Sequence, residues 1–251
     1  MCWWFASVAQ LSHDRSRARL VLGRVGHRIV GVKSLLVLVV LVVFVGARHA
    51  EAEPDLEALT RDAPRCDAAR AFCFGLAFHI AVGEDGPVAT AAWITGQLAG
   101  ANRHFAPLDV GFQITGVTSL PAAAMRVKDR QQRNALGATI AGTVVDVFVT
   151  GQLDDVDTDG TFARGVTWPG KGGRKFIILS TQAPERVLAH ELGHVFGLPH
   201  SRYPISIMNK TPRDEPPVEQ RTFADEEIPV MRSQRSRLVR DKVLANLAAK
   251  P

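Results

Sequence analysis

Residues 190–200 read HELGHVFGLPH. His190 and His194 are spaced i and i+4, so on a helix they share one face with Cβ atoms about 5–6 Å apart. Two imidazoles placed this way can both reach one metal ion, and for zinc the bond length is about 2.0–2.1 Å. Gly197 is where such a helix should stop, because glycine takes a left-handed cap without a Cβ penalty. The chain can then turn sharply and bring His200 back as a third ligand. Three neutral imidazoles leave a fourth position for water, the open arrangement of a catalytic zinc. Glu191 follows the first ligand but is rotated about 100° around the helix axis. It can take a proton from that water without ligating the metal.

Such a helix needs a start and an apolar side. Pro184-Glu185 suits the start, and Leu188, Leu192, Val195 and Phe196 supply the side that anchors it to a sheet. Upstream, Phe72, Phe74, Leu76, Phe78, Ile80 and Val82 alternate with smaller residues, which predicts a strand. Ile94, Leu98, Ala101 and Phe105 form a helical stripe. Val110, Phe112 and Ile114 alternate again. Residues 125–138 are basic and read as helical or irregular. The β-branched runs 144–150 and 175–180 predict two more strands. A closing helix is expected within 224–248, with Thr222 as its cap and Pro229 in its first turns. This order predicts one α+β domain.

Composition narrows the function classes. Of 251 residues, 46% are hydrophobic and 22% charged, an ordinary globular balance. The formal charge of +5 resides wholly in residues 1–52, which hold 7 Lys/Arg and 2 Asp/Glu. The remainder holds 23 of each sign. A nucleic-acid partner requires a basic surplus on the folded domain, and there is none. The apolar run 34–46 follows Arg24, Arg28 and Lys33 and ends near Ala50-Glu51-Ala52. It is too short for the roughly 20 residues of a spanning helix, so residues 1–52 read as a signal peptide with an unusually long n-region. A membrane anchor, if this segment stays uncleaved, is the alternative. Residues 53–251 then form a single catalytic domain, with 53–70 a short leader or propeptide remnant. Cys66 and Cys73 are the only cysteines beyond the signal segment, and export favours pairing them.

The pattern HExxHxxGxxH followed by a Met-turn resembles the metzincin metalloproteases. Ser201 after His200, and Met208 eight residues beyond it, look most like the matrixin branch; residues 89–114 bear a weaker resemblance to pappalysin-like metzincins. The resemblance implies a metzincin-type zincin: a twisted mixed sheet, an N-terminal helix, an active-site helix, a Met-turn and a C-terminal helix. It implies one catalytic Zn²⁺ on His190, His194 and His200, Glu191 as general base, and Met208 as an apolar base beneath the ligands. Matrixins also carry a structural zinc with further histidines; here only His79 and His104 lie between the signal segment and the active helix, and no second zinc is carried over. Pro64-Arg65-Cys66-Asp67 resembles part of the matrixin cysteine switch. The family motif continues with glycine and a Pro-Asp pair, whereas Ala68, Ala69 and Arg70 stand here. A Cys66–Cys73 disulfide is the favoured reading. Tyr203, the only tyrosine, is a candidate oxyanion or substrate donor. Asp155, Asp157, Asp159 and Gly160 begin like a calcium loop, but Val166 stands where the bidentate Glu belongs. They read as a solvated acidic turn, with an irregular calcium site as the alternative.

The expected function is therefore a secreted zinc-dependent endopeptidase acting on proteins or peptides. Substrate would lie extended along the strand containing Gly165–Trp168. The rivals are a non-catalytic zinc-binding or adhesion module, which has no need of Glu191, and a zinc hydrolase of a non-peptide bond.

Overall fold

The computed structural model describes Leu56 and residues 58–248; the signal-peptide segment lies outside them. Within the segment before the first strand, Ala58–Asp62 forms a short helix, α1. Leu56, Leu59 and Ala63 give it an apolar side that packs on the core. Strand β1 (Phe72–Gly83) follows, and turns through β2 (Gly86–Pro87). Helix α2 (Ala91–Phe105) starts at Thr90, whose side chain accepts a hydrogen bond from Trp93 N, and buries its Ile94, Leu98, Ala101 and Phe105 stripe. Strand β3 spans Val110–Leu120, longer than its alternation suggests, because a register shift after Leu76 lets it keep pairing with β1. Short strand β4 (Arg126–Val127) precedes α3 (Arg130–Gly137), capped by Asp129. Then come β5 (Val145–Thr150), β6 (Gln152–Leu153), β7 (Gly165–Pro169) and β8 (Lys175–Ser180). The helices α4 (Arg186–Val195) and α5 (Glu227–Arg240) complete the domain.

The main sheet runs β3-β1-β5-β8-β7. Its first four strands are parallel and β7 is antiparallel at the edge. One face carries Phe74, Leu76, Phe78, Val147, Ile177 and Leu179 against α2 and α4. The other buries Phe148, Phe176 and Ile178 beneath α3, with Trp168 alongside. On that second face His79 bridges Thr118 and Asp146 at 2.7 and 3.0 Å, and Arg174 holds the other Asp146 oxygen at 3.1 Å. His79 thus ties three neighbouring strands together.

The closing helix is shorter than expected and Thr222 does not cap it. Glu226 occupies the cap position without a side-chain bond. Thr222 is instead held in a bridge to the Met208 loop, donating to Ile205 O and accepting from Ile207 N. The helix ends at Arg240, and Lys242 takes a positive φ of 55°. Leu244 then folds back onto the core, so the apolar spacing beyond 240 reflects a turn and not another helical face.

Candidate metal centre

Helix α4 is anchored by Leu188, Leu192, Val195 and Phe196, all buried. It stops as a Schellman motif: Gly197 N donates to His194 O and Leu198 N to Gly193 O. Gly197 has φ 92°, a conformation L side chains rarely adopt. This tight reversal returns His200 to the helix face. The ring centroids of His190, His194 and His200 lie 4.8–5.6 Å apart. One ligand nitrogen from each comes within 4.8 Å of the others.

Ring orientation shows whether these residues suit a metal. His190 Nδ1 meets Ile207 O at 2.8 Å, and His194 Nδ1 meets Leu198 O at 2.7 Å. A carbonyl can only accept, so both Nδ1 atoms carry the proton and both Nε2 lone pairs are free. Burial holds the His190 and His200 imidazoles down to a pKa of about 4, and lowers His194 as well. The rings are therefore neutral at physiological pH, which is the ligating form. The three fit a zinc ion.

Glu191 is buried, and burial pushes its carboxyl up to about 7. A general base works best with a pKa near the operating pH. Thr167 Oγ1 lies 2.9 Å from Glu191 Oε2 and 2.8 Å from Glu191 O, so the hydroxyl of the edge strand steadies the carboxylate. Motif spacing could not show this contact, which joins residues 24 positions apart on different elements.

Met208 is fully buried under α4. A Cβ on Gly193 would stand 2.5 Å from its sulfur, so only glycine allows this close approach. The loop is pinned from behind. Ser206 Oγ accepts from Met208 N at 3.0 Å and donates to the buried Glu227 carboxylate at 2.8–2.9 Å. Glu227 also accepts from Ala224 N. Sequence reading missed this Ser206–Glu227 pair; two polar residues 21 positions apart carry no local signal.

A cleft of about 330 Å³ opens over the histidines, lined by Gly165–Pro169, Glu191, Lys175 and Lys210. Strand β7 is its upper wall. Trp168 is held from outside by Arg133, whose guanidinium lies 4.8 Å from the ring centroid, and by Asn134, which accepts from its indole N–H. Tyr203 does not line the cleft; its backbone braces the Met208 loop through Ser206 N and Asn209.

Elsewhere, a disulfide joins Cys66 and Cys73. Of the acidic turn, Asp155 caps Asp157 N and Asp157 pairs with Arg130, so these carboxylates serve the turn and neighbouring cations. His104 lies buried on α2 near Phe223, far in role from any cluster of ligating groups among the described residues.

Comparison with known proteins places these observations. The family model for matrixin, a peptidase family, matches residues 143–227. That segment runs from β5 through the edge strand and the zinc-binding motif to the start of α5. No curated protein matches significantly. Among solved structures, archaemetzincin from Methanopyrus kandleri is 15% identical, with TM-score 0.45, covering 65% of this chain and 96% of its own. Metalloproteinase-II from Bacteroides fragilis is 13% identical, with TM-score 0.43, covering 67% of this chain and 55% of its own. Mature mirolysin from Tannerella forsythia, in complex with a cleaved peptide, is 14% identical, with TM-score 0.40, covering 51% of this chain and 64% of its own. The matrixin match and the residues it spans support a zinc-dependent peptidase, and the fold is α+β with a twisted open sheet and a helix carrying the histidine motif.

Proposed function

Starting from the matrixin match over residues 143–227, we propose that this protein is a secreted zinc-dependent endopeptidase. The observation that carries the reading is the convergence of three imidazoles, two of them with Nε2 left free by Nδ1 bonds to carbonyls, with a buried glutamate beneath an unpaired sheet edge. Strand β7 pairs only with β8 among the described residues, so its outer edge offers N–H and C=O groups to an extended peptide. A peptide lying along it passes over the histidines with both ends free, which favours internal bonds over chain termini.

His190, His194 and His200 would hold the zinc, which when bound polarises the scissile carbonyl and makes water acidic near neutral pH. Glu191 takes the proton from the attacking water on its carboxylate and returns it to the leaving amine. Thr167 keeps that carboxylate oriented through both transfers. Burial of Glu191 keeps bulk water from competing for its proton.

Secretion rests on the basic, apolar and A-x-A succession of residues 24–52. A Cys66–Cys73 disulfide suits an oxidising compartment. The function is tested by digesting an unbiased library of proteome-derived peptides and mapping the new termini by mass spectrometry, before and after chelation and zinc return. Internal cleavages that vanish with chelator and return with zinc are expected. A zinc-loaded protein that binds peptides and cleaves none would favour the binding module.

A further inference from the structure

The cleft has a charge character that the catalytic set does not need. Apart from the three histidines and the buried Glu191, its only ionisable lining residues are Lys175 and Lys210. Neither belongs to an ion pair among the described residues. Lys175 opens β8 opposite Pro169, at the far end of the edge strand, and its Nζ donates to His194 O at 2.6 Å. That bond fixes the ammonium against the backbone of a metal ligand. Lys210, two residues beyond Met208, also lines the cleft, exposed and with no side-chain hydrogen bond among the described residues.

Both ammonium groups stand exposed at the surface of the cleft, one at the edge-strand end of β8 and one beyond the Met208 loop. A bound metal adds charge of the same sign. In a partly enclosed cleft such charges are screened less than on open surface. Two ammonium groups in one cleft, whose single carboxylate is the buried Glu191 held by Thr167, make a receptor for another.

We propose that Lys175 and Lys210 select peptides bearing a carboxylate close to the scissile bond. This rests on the peptidase reading for its bond chemistry, but the carboxylate site itself can be measured by binding. The carboxylate comes from an Asp or Glu side chain, or from a nearby chain terminus.

The test uses the zinc-loaded Glu191→Ala protein and fluorescent peptides, read by anisotropy. One amidated peptide carries a central Glu, its twin carries Gln, and a third carries Gln with a free C-terminal carboxylate. The Glu peptide should bind about tenfold tighter than its Gln twin, as a charge-assisted hydrogen bond gives. The ratio should shrink with added salt. Adding Lys210→Gln should bring it most of the way to one, and adding Lys175→Gln as well should abolish it. Should Lys175→Gln lower the melting temperature by removing the donor to His194 O, Lys210→Gln alone still decides. A tighter third peptide assigns the site to a terminal carboxylate; a tighter first peptide assigns it to a side chain.

A ratio near one, or one unchanged by Lys210→Gln, overturns the proposal. Wild-type protein cleaving the Glu and Gln peptides equally, with equal binding, would leave the peptidase reading standing and this one fallen. Tight lysine-dependent binding of the Glu peptide without cleavage of any library member would do the reverse.

Discussion

At the residue scale, the centre is set by where protons sit. Backbone carbonyls of Leu198 and Ile207 hold the Nδ1 protons of His194 and His190, so each ring turns Nε2 toward the cleft. His194→Ala should therefore lose zinc and hydrolysis together, checked by metal analysis of the purified variant; full zinc occupancy would contradict the ligand set. His104 offers a separate test away from the metal. Burial, then the charges of Arg103 and Arg186, lower its pKa to about 4, against about 6.5 in an unfolded chain. As pH falls from about 6.5 to 4, the unfolded chain takes the proton and the folded one does not. His104 thus removes stability on acidification, by up to about 1.4 kcal/mol per pH unit. Urea midpoints across that range should fall less steeply for His104→Leu than for wild type, and parallel slopes would refute the assignment. The ligands and Glu191 were legible because one helix and one turn fix their spacing. Thr167, Lys175 and the Ser206–Glu227 pair were not, because each acts across a tertiary contact that no local pattern encodes.

At the element scale, two devices aim the centre: the Schellman reversal that returns His200 and the edge strand that roofs the cleft. Gly197 is at φ 92°, and an added Cβ would also press on Gln234 at 3.3 Å. Gly197→Ala should cost about 1–2 kcal/mol. Because His200 lies three residues beyond it, the rise in melting temperature on adding zinc should also shrink. An unchanged zinc-induced rise would mean that the reversal does not set the third ligand. The strands of the sheet were readable from alternation where one face is buried, as in β1. The tail of β3 was not, since Gly116–Leu120 is held by pairing with β1 after a register shift. The end of α5 misled for the opposite reason: Leu244 keeps helical spacing but reaches the core after a turn at Lys242.

At the scale of the whole molecule, the stretch before β1 folds onto the core of the domain. Leu59 sits in the core, and the disulfide staples the stretch after it to β1. The cysteines are seven residues apart, so the closed loop is short and its stabilisation modest, about 2 kcal/mol by chain entropy. Mature protein should show no free thiol, and Cys66→Ala should melt earlier without becoming more active. Activation of the wild-type protein by a thiol-reactive mercurial would instead revive the cysteine switch. Export predicts a mature N-terminus near Glu53 by N-terminal sequencing; Met1 retained on soluble extracellular protein would contradict it.

The most direct measurement compares turnover at equal zinc content in wild type and Glu191→Ala. Three imidazoles supply the ligation, so the variant should keep about one zinc per chain and the native fold. Its peptide hydrolysis should fall by at least about 10²–10⁴, the usual worth of a general base. A variant that holds zinc and cleaves peptides as fast as wild type would contradict the assignment of this centre as a glutamate-assisted zinc peptidase.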